Sequence, residues 1–125
     1  MDFEFEEKDG KITITRYKRN LGNVVIPSEI DGKPVVCIKD GAFISKPHML
    51  EVTIPDSVTV IEARAFPDES ESPFFTHIHV DSGNTMYKDI DGVLFSKDGK
   101  VLIKYMAARK ADEYSIPGSV VSIEV

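Results

Sequence analysis

The sequence predicts a mainly β solenoid. It has about four coils, the last incomplete, with short parallel strands, an N-terminal β-hairpin, a second hairpin inserted at about 93–105, and little helix. Three observations carry this reading. Apolar pairs recur at Val24/Ile26, Val52/Ile54, Ile78/Val80 and Tyr114/Ile116, spaced 28, 26 and 36 residues apart. Proline follows three of them, at Pro27, Pro55 and Pro117. Two continue into Val-x-x-Ile-x-x-x-Ala-Phe, over Val35–Phe43 and Val58–Phe66. No single helix or sheet face collects such a set, whereas a chain that coils the same way in each unit does.

Residues 1–17 read as a hairpin that caps one end of the coil. Phe3 and Phe5 alternate with Glu4 and Glu6, Asp9-Gly10 supplies the positive-φ turn, and Ile12 and Ile14 return on the same face. The units then run 23–48, 49–74, 75–112 and 113–125. The first carries an extra turn at Asp31-Gly32. The second, from Met49 to Phe66, has every anchor and no insert, so Val52, Ile54, Val58, Ile61 and Phe66 belong to the core. The third loses the pattern after Val80. Instead it runs through Asp81-Ser-Gly-Asn84 into a hairpin, Val93–Phe95 against Val101–Tyr105. With Gly99 in a G1 bulge, Val93, Phe95, Val101 and Ile103 share one side. The fourth stops after Ile123, before any Ala-Phe, leaving Val120 and Ile123 at an open edge. β-branched anchors favour strands, the prolines end them, and the Ala-Phe segments are the best places for short helical turns. A period in the twenties with such anchors indicates a leucine-rich-repeat-type solenoid, stabilised by contacts between neighbours.

Length and composition fit one domain, 1–125. A net charge of -6 argues against nucleic acid and anionic membrane surfaces, both of which call for a basic patch. No apolar run is long enough to span a bilayer, and the acidic N-terminus has no leader-like apolar segment. The single cysteine, Cys37, excludes an internal disulfide framework and a four-thiolate zinc site.

The segment Ile-Pro-x-x-Val-x-x-Ile-x-x-x-Ala-Phe at 54–66 resembles the BspA-like leucine-rich repeats of bacterial proteins. Ile26-Pro-Ser-Glu-Ile-Asp-Gly-Lys-Pro-Val35 does too, as does Asp81-Ser-Gly-Asn with Tyr87 and Asp91-Gly-Val-Leu-Phe-Ser-Lys-Asp-Gly-Lys100. The resemblance covers nearly the whole chain. It implies a right-handed solenoid with a short-stranded parallel sheet, a cell-surface or secreted setting, and adhesion or other protein–protein contacts without catalysis or cofactor. The chain departs from the pattern at Lys39 and Glu62, where glycine is usual, and lacks the cysteine often found after Ala-Phe.

Alternation along the strands sends two rows outward: Asn23, Glu51, His77 and Glu113, and Val25, Thr53, His79 and Ser115. Asn23, Glu51, Thr53, His77, His79, Glu113 and Ser115 form the candidate binding surface. His77-Ile78-His79 admits a metal reading with Glu51 or Glu113. The plainer reading is surface histidines paired with charge across strands, because the pair lacks further ligand spacing. Asp81, Asn84, Asp89 and Asp91 lack a twelve-residue calcium loop and read as turn chemistry. Cys37, next to anchor Ile38 with no histidine placed near it, reads as structural. The expectation is a non-enzymatic module for a protein or glycan partner. A structural spacer of a larger surface protein, or a homodimer through the open C-terminal edge, is the alternative.

Overall fold

The computed structural model describes residues 2–67, 72–106 and 116–123. Among them are twelve strands and no helix: β1 (Phe3–Lys8), β2 (Lys11–Tyr17), β3 (Asn23–Val25), β4 (Glu29–Ile30), β5 (Lys33–Ile38), β6 (Glu51–Ile54), β7 (Val60–Ile61), β8 (His77–Val80), β9 (Tyr87–Ile90), β10 (Val93–Ser96), β11 (Val101–Lys104) and β12 (Ser122–Ile123). They form a β-solenoid whose coils cross three sheets.

The first sheet is parallel, in the order β3, β6, β8. Val24 pairs with Val52 and Val52 with Ile78. These anchors are buried and face the core. Each strand starts the same way. Gly22 O accepts from the N–H groups of Leu50 and Glu51, and Leu50 O accepts from those of Thr76 and His77. Lys100 O repeats the device with Val121 and Ser122. One carbonyl thus satisfies two donors where a short strand begins.

The second sheet holds β1, β2, β5, β4 and β7. Lys8 pairs with Lys11, so Asp9-Gly10 is a two-residue loop, with φ of 54° and 75°. Asp31-Gly32 and Asp91-Gly92 have the same two positive angles, as type I′ turns require. Phe3, Ile12 and Ile14 are buried and Phe5 packs against the same core. The hairpin does more than cover an end. Its return strand pairs in parallel, Ile12 with Val35 and Ile14 with Ile38, and β7 continues the row on the far side of β5, Ile38 with Ile61. β1 is left as the edge, where Glu4, Glu6 and Glu7 are exposed and blunt further pairing.

The Ala-Phe segments are single turns, not helices. Ala42 N–H donates to Lys39 O and Ala65 N–H to Glu62 O. The end of β2 donates to the first turn, Tyr17 N–H to Ala42 O at 2.7 Å, and the first turn to the second, Gly41 N–H to Arg64 O at 2.8 Å and Phe43 N–H to Ala65 O at 3.2 Å. This register brings Tyr17, Phe43, Phe66 and Phe75 into a row with centroid spacings of 5.8, 5.4 and 5.9 Å, and Phe3 extends it at 5.1 Å. Val52, Ile54, Val58 and Phe66 are buried as expected, while Ile61 is half-buried at the core margin.

The inserted hairpin is the outer part of a three-stranded antiparallel meander, β9, β10, β11. Its facing differs from expectation. A register shift between Leu94 and Phe95 sets Phe95 opposite Leu102. Leu102, rather than Val101 and Ile103, therefore joins Val93 and Phe95 in a second small core, while Leu94 and Ile103 face the main one. β10 is buried on both faces, whereas the expectation, with its bulge at Gly99, set only Val93 and Phe95 inward. Asn84 fastens the meander to the second coil. Its Nδ2 donates to Pro55 O and Val58 O, and its Oδ1 accepts from the N–H groups of Met86 and Tyr87. Tyr87 OH in turn accepts from Ile61 N–H at 2.9 Å.

At the C-terminal end β12 pairs in parallel with β11, and Val120 packs on the second core. Ile116, Val121 and Ile123 are each more than half exposed. Tyr114, and Glu113 and Ser115, which the sequence assigned to the outward rows, lie outside the described residues.

Candidate functional site

The outward face of β3, β6 and β8 is flat and short. Asn23 stands opposite Glu51 and Glu51 opposite His77. Val25 stands opposite Thr53 and Thr53 opposite His79. The five expected residues that are described thus share one face, about 4.8 Å apart across strands. Their inward neighbours pin the backbone, so the outward side chains are displayed on a rigid support.

Their contacts run diagonally. Glu51 lies directly across from His77, yet its Oε1 meets His79 Nε2 at 2.7 Å. The hydrogen bond from His79 is the main influence holding the Glu51 carboxyl below its usual range, with the charge of both histidines adding to it. His77 Nδ1 is 2.8 Å from Thr76 Oγ1. The two imidazoles stack at 5.8 Å, 13° from parallel. Both partners of the His79–Glu51 pair keep more than two fifths of their side-chain surface in solvent.

The fold has close counterparts among solved structures. A leucine-rich-repeat protein of T. pallidum matches with a TM-score of 0.56 and 28% identity, over 66% of this chain and 38% of that one. A leucine-rich cell surface protein of Faecalibacterium prausnitzii matches with a TM-score of 0.57 and 26% identity, over 67% of this chain and 23% of that one. The chain has the leucine-rich-repeat solenoid fold. It spans less than half the length of either counterpart. No protein-family model matches the chain, and no curated protein does.

The metal reading of His77 and His79 competes with contacts the ring nitrogens already make: His79 Nε2 with Glu51 Oε1 at 2.7 Å and His77 Nδ1 with Thr76 Oγ1 at 2.8 Å. Among the described residues no group of three or more His, Cys, Asp or Glu is arranged to hold a metal ion. The acidic turn at 81–91 is structural: Asp81 accepts from Gly83 N–H, and Asp89 accepts from Val80 N–H at 2.7 Å. Cys37 is half-buried. Burial first, then the Glu62 charge, pushes its thiol up and away from the reactive thiolate.

Sequence reasoning passed over several structural residues. Tyr17 joins the aromatic row and carries the Lys46 ammonium 5.6 Å from its ring centroid. Burial, with Arg16 adding to it, lowers the Lys46 pKa. Asn84 and Tyr87 tie two units together from side chains that no apolar periodicity reports. Among the described residues, no helix is long and apolar enough to cross a membrane.

Proposed function

We propose that the chain is a non-enzymatic interaction module. Its contact surface is the outward face of β3, β6 and β8, presenting Asn23, Glu51, Thr53, His77 and His79 to a protein or glycan partner, with Glu113 and Ser115 extending it. The supporting observation is the row Val25, Thr53, His79. Val25, at the end of the edge strand β3, is 67% exposed and pairs with Thr53, which in turn pairs with His79. Apolar, hydrogen-bonding and titratable groups on one preorganised face lower the ordering cost of binding. The likeness to a protein described as a leucine-rich cell surface protein supports a surface setting.

The test is a binding screen against immobilised glycans and extracellular-matrix proteins. Thr53→Arg, at the centre of the face, should abolish any hit while leaving the thermal midpoint unchanged. A hit that survives Thr53→Arg sinks this surface.

A second reading, a spacer or a homodimer through the C-terminal edge, is favoured by Ile123 on β12 and Val121 just before it, which are 53% and 76% exposed. Sedimentation would then show a concentration-dependent dimer that Val121→Lys with Ile123→Lys dissociates. A monomer at every concentration removes the dimer.

A further inference from the structure

The first sheet ends at β3, which pairs only with β6 among the described residues. Hydrogen bonds fix which groups of β3 serve that pairing. Gly22 O accepts from Glu51 N–H, and Ile26 N–H donates to Thr53 O. Successive residues of a strand direct their N–H and C=O groups to opposite edges, so residues 22, 24 and 26 bond to β6 and the main chain of Asn23 and Val25 faces away. Neither residue makes a main-chain hydrogen bond to any other described residue. Both are exposed, Val25 at 67%. The edge at β1 is blunted by Glu4, Glu6 and Glu7, whereas β3 holds no charge, no proline and no bulge.

The opening arises because the N-terminal hairpin supplies only half a coil. β2 stands one strand beyond β5 in the second sheet, Ile12 paired with Val35 and Ile14 with Ile38. The chain before it turns back as β1 and gives the first sheet nothing beside β3. That geometry limits what can fill the place about 4.8 Å from β3. In the first coil β3 and β5 meet across a shared core, through Val24, Val35 and Ile38. A second solenoid set beside β3 would bring its own β5 to the position that β2 holds. A lone extended strand carries no second layer and meets no such conflict.

We propose that the free edge of β3 is a strand-addition site for an extended, uncharged segment of a partner protein. The segment becomes a fourth strand of the first sheet. Val25 N–H donates to one of its carbonyls and Val25 O accepts from one of its N–H groups, and Asn23 offers the same pair. Its residue beside Val25 should be β-branched, and its alternate residues, next to Val24 and Ile26, apolar. The site is the rim of the sheet, and it stands whether or not the outward face binds.

The test follows backbone amide shifts of the full chain while it is titrated with acetyl-Lys-Val-Thr-Val-Lys-amide, whose lysines serve only solubility. Saturable shifts should centre on Asn23 and Val25, with slowed hydrogen exchange at the Val25 amide. Two further peptides carry N-methyl groups on opposite edges, one on the threonine and the other on both valines. One of them should bind at least about fivefold more weakly, the worth of a main-chain bond, and the other as the parent does. Val25→Pro removes the donor at an edge position that tolerates proline. It should weaken binding by at least the same factor and leave the thermal midpoint unchanged. His79→Ala should bind as the native chain does, which separates the rim from the face. No saturable shift at Val25, equal binding of the two N-methylated peptides, loss in His79→Ala, or a concentration-dependent dimer that Val25→Pro dissociates would each overturn the proposal.

Discussion

The rings of Phe43 and Phe66 lie 5.4 Å apart and within 10° of parallel. They occupy the same position in successive coils, so the stack is the repeat made visible. Phe66 also meets Phe75, and so links the first two coils to the third. Phe66→Ala should cost about 3–5 kcal/mol, through lost transfer energy and an unfilled cavity, in chemical denaturation. A cost under about 1 kcal/mol would show that the aromatic row is not a continuous core.

Asn84 is buried at 1% exposure and uses its amide twice as donor and twice as acceptor. Asn84→Asp sets an oxygen against Pro55 O and Val58 O, and should destabilise by about 3 kcal/mol or more at neutral pH. The buried carboxyl would have a raised pKa in the folded state. The penalty should therefore be smallest in acid and grow as pH rises above the ordinary carboxylate range. A pH-independent penalty would contradict this.

Gly32 has φ of +77° and nothing within 4 Å of where a Cβ would stand. Gly32→Ala meets no clash, so its whole effect is backbone strain, about 1–2 kcal/mol. The matching change at Gly10, at +75° and equally open, should cost the same. Thermal unfolding of the two variants checks both. Unequal losses would mean that the two I′ turns contribute differently to folding.

The Glu51 carboxyl is held below its ordinary value of 4.5 chiefly by the His79 hydrogen bond. A depressed folded pKa stabilises above the unfolded value and loses that contribution as pH falls through the folded one. Native protein should thus lose stability relative to Glu51→Gln below about pH 4.5. With both partners two-fifths exposed, the difference should stay under about 1 kcal/mol and shrink in salt. Urea midpoints for both proteins at acid and neutral pH measure it.

By itself the sequence determined the coil. β-branched anchors at a period in the twenties, prolines closing short strands, and Asp-Gly pairs at the hairpin tips are local signals. They act within a few residues or repeat in register, so the rows Val24, Val52, Ile78 and Val25, Thr53, His79 are legible in the sequence alone. Tertiary structure alone decided what the coils do to one another. Whether Glu51 bonds His77 or His79 depends on side-chain reach across a fixed sheet. The burial of both faces of Val93–Phe95 depends on one register shift. The pairing of β2 with β5 and the fourfold use of Asn84 join residues far apart in the chain. Periodicity records which side of a strand faces inward. It holds no record of which neighbour arrives to fill, or leave open, the space beside it.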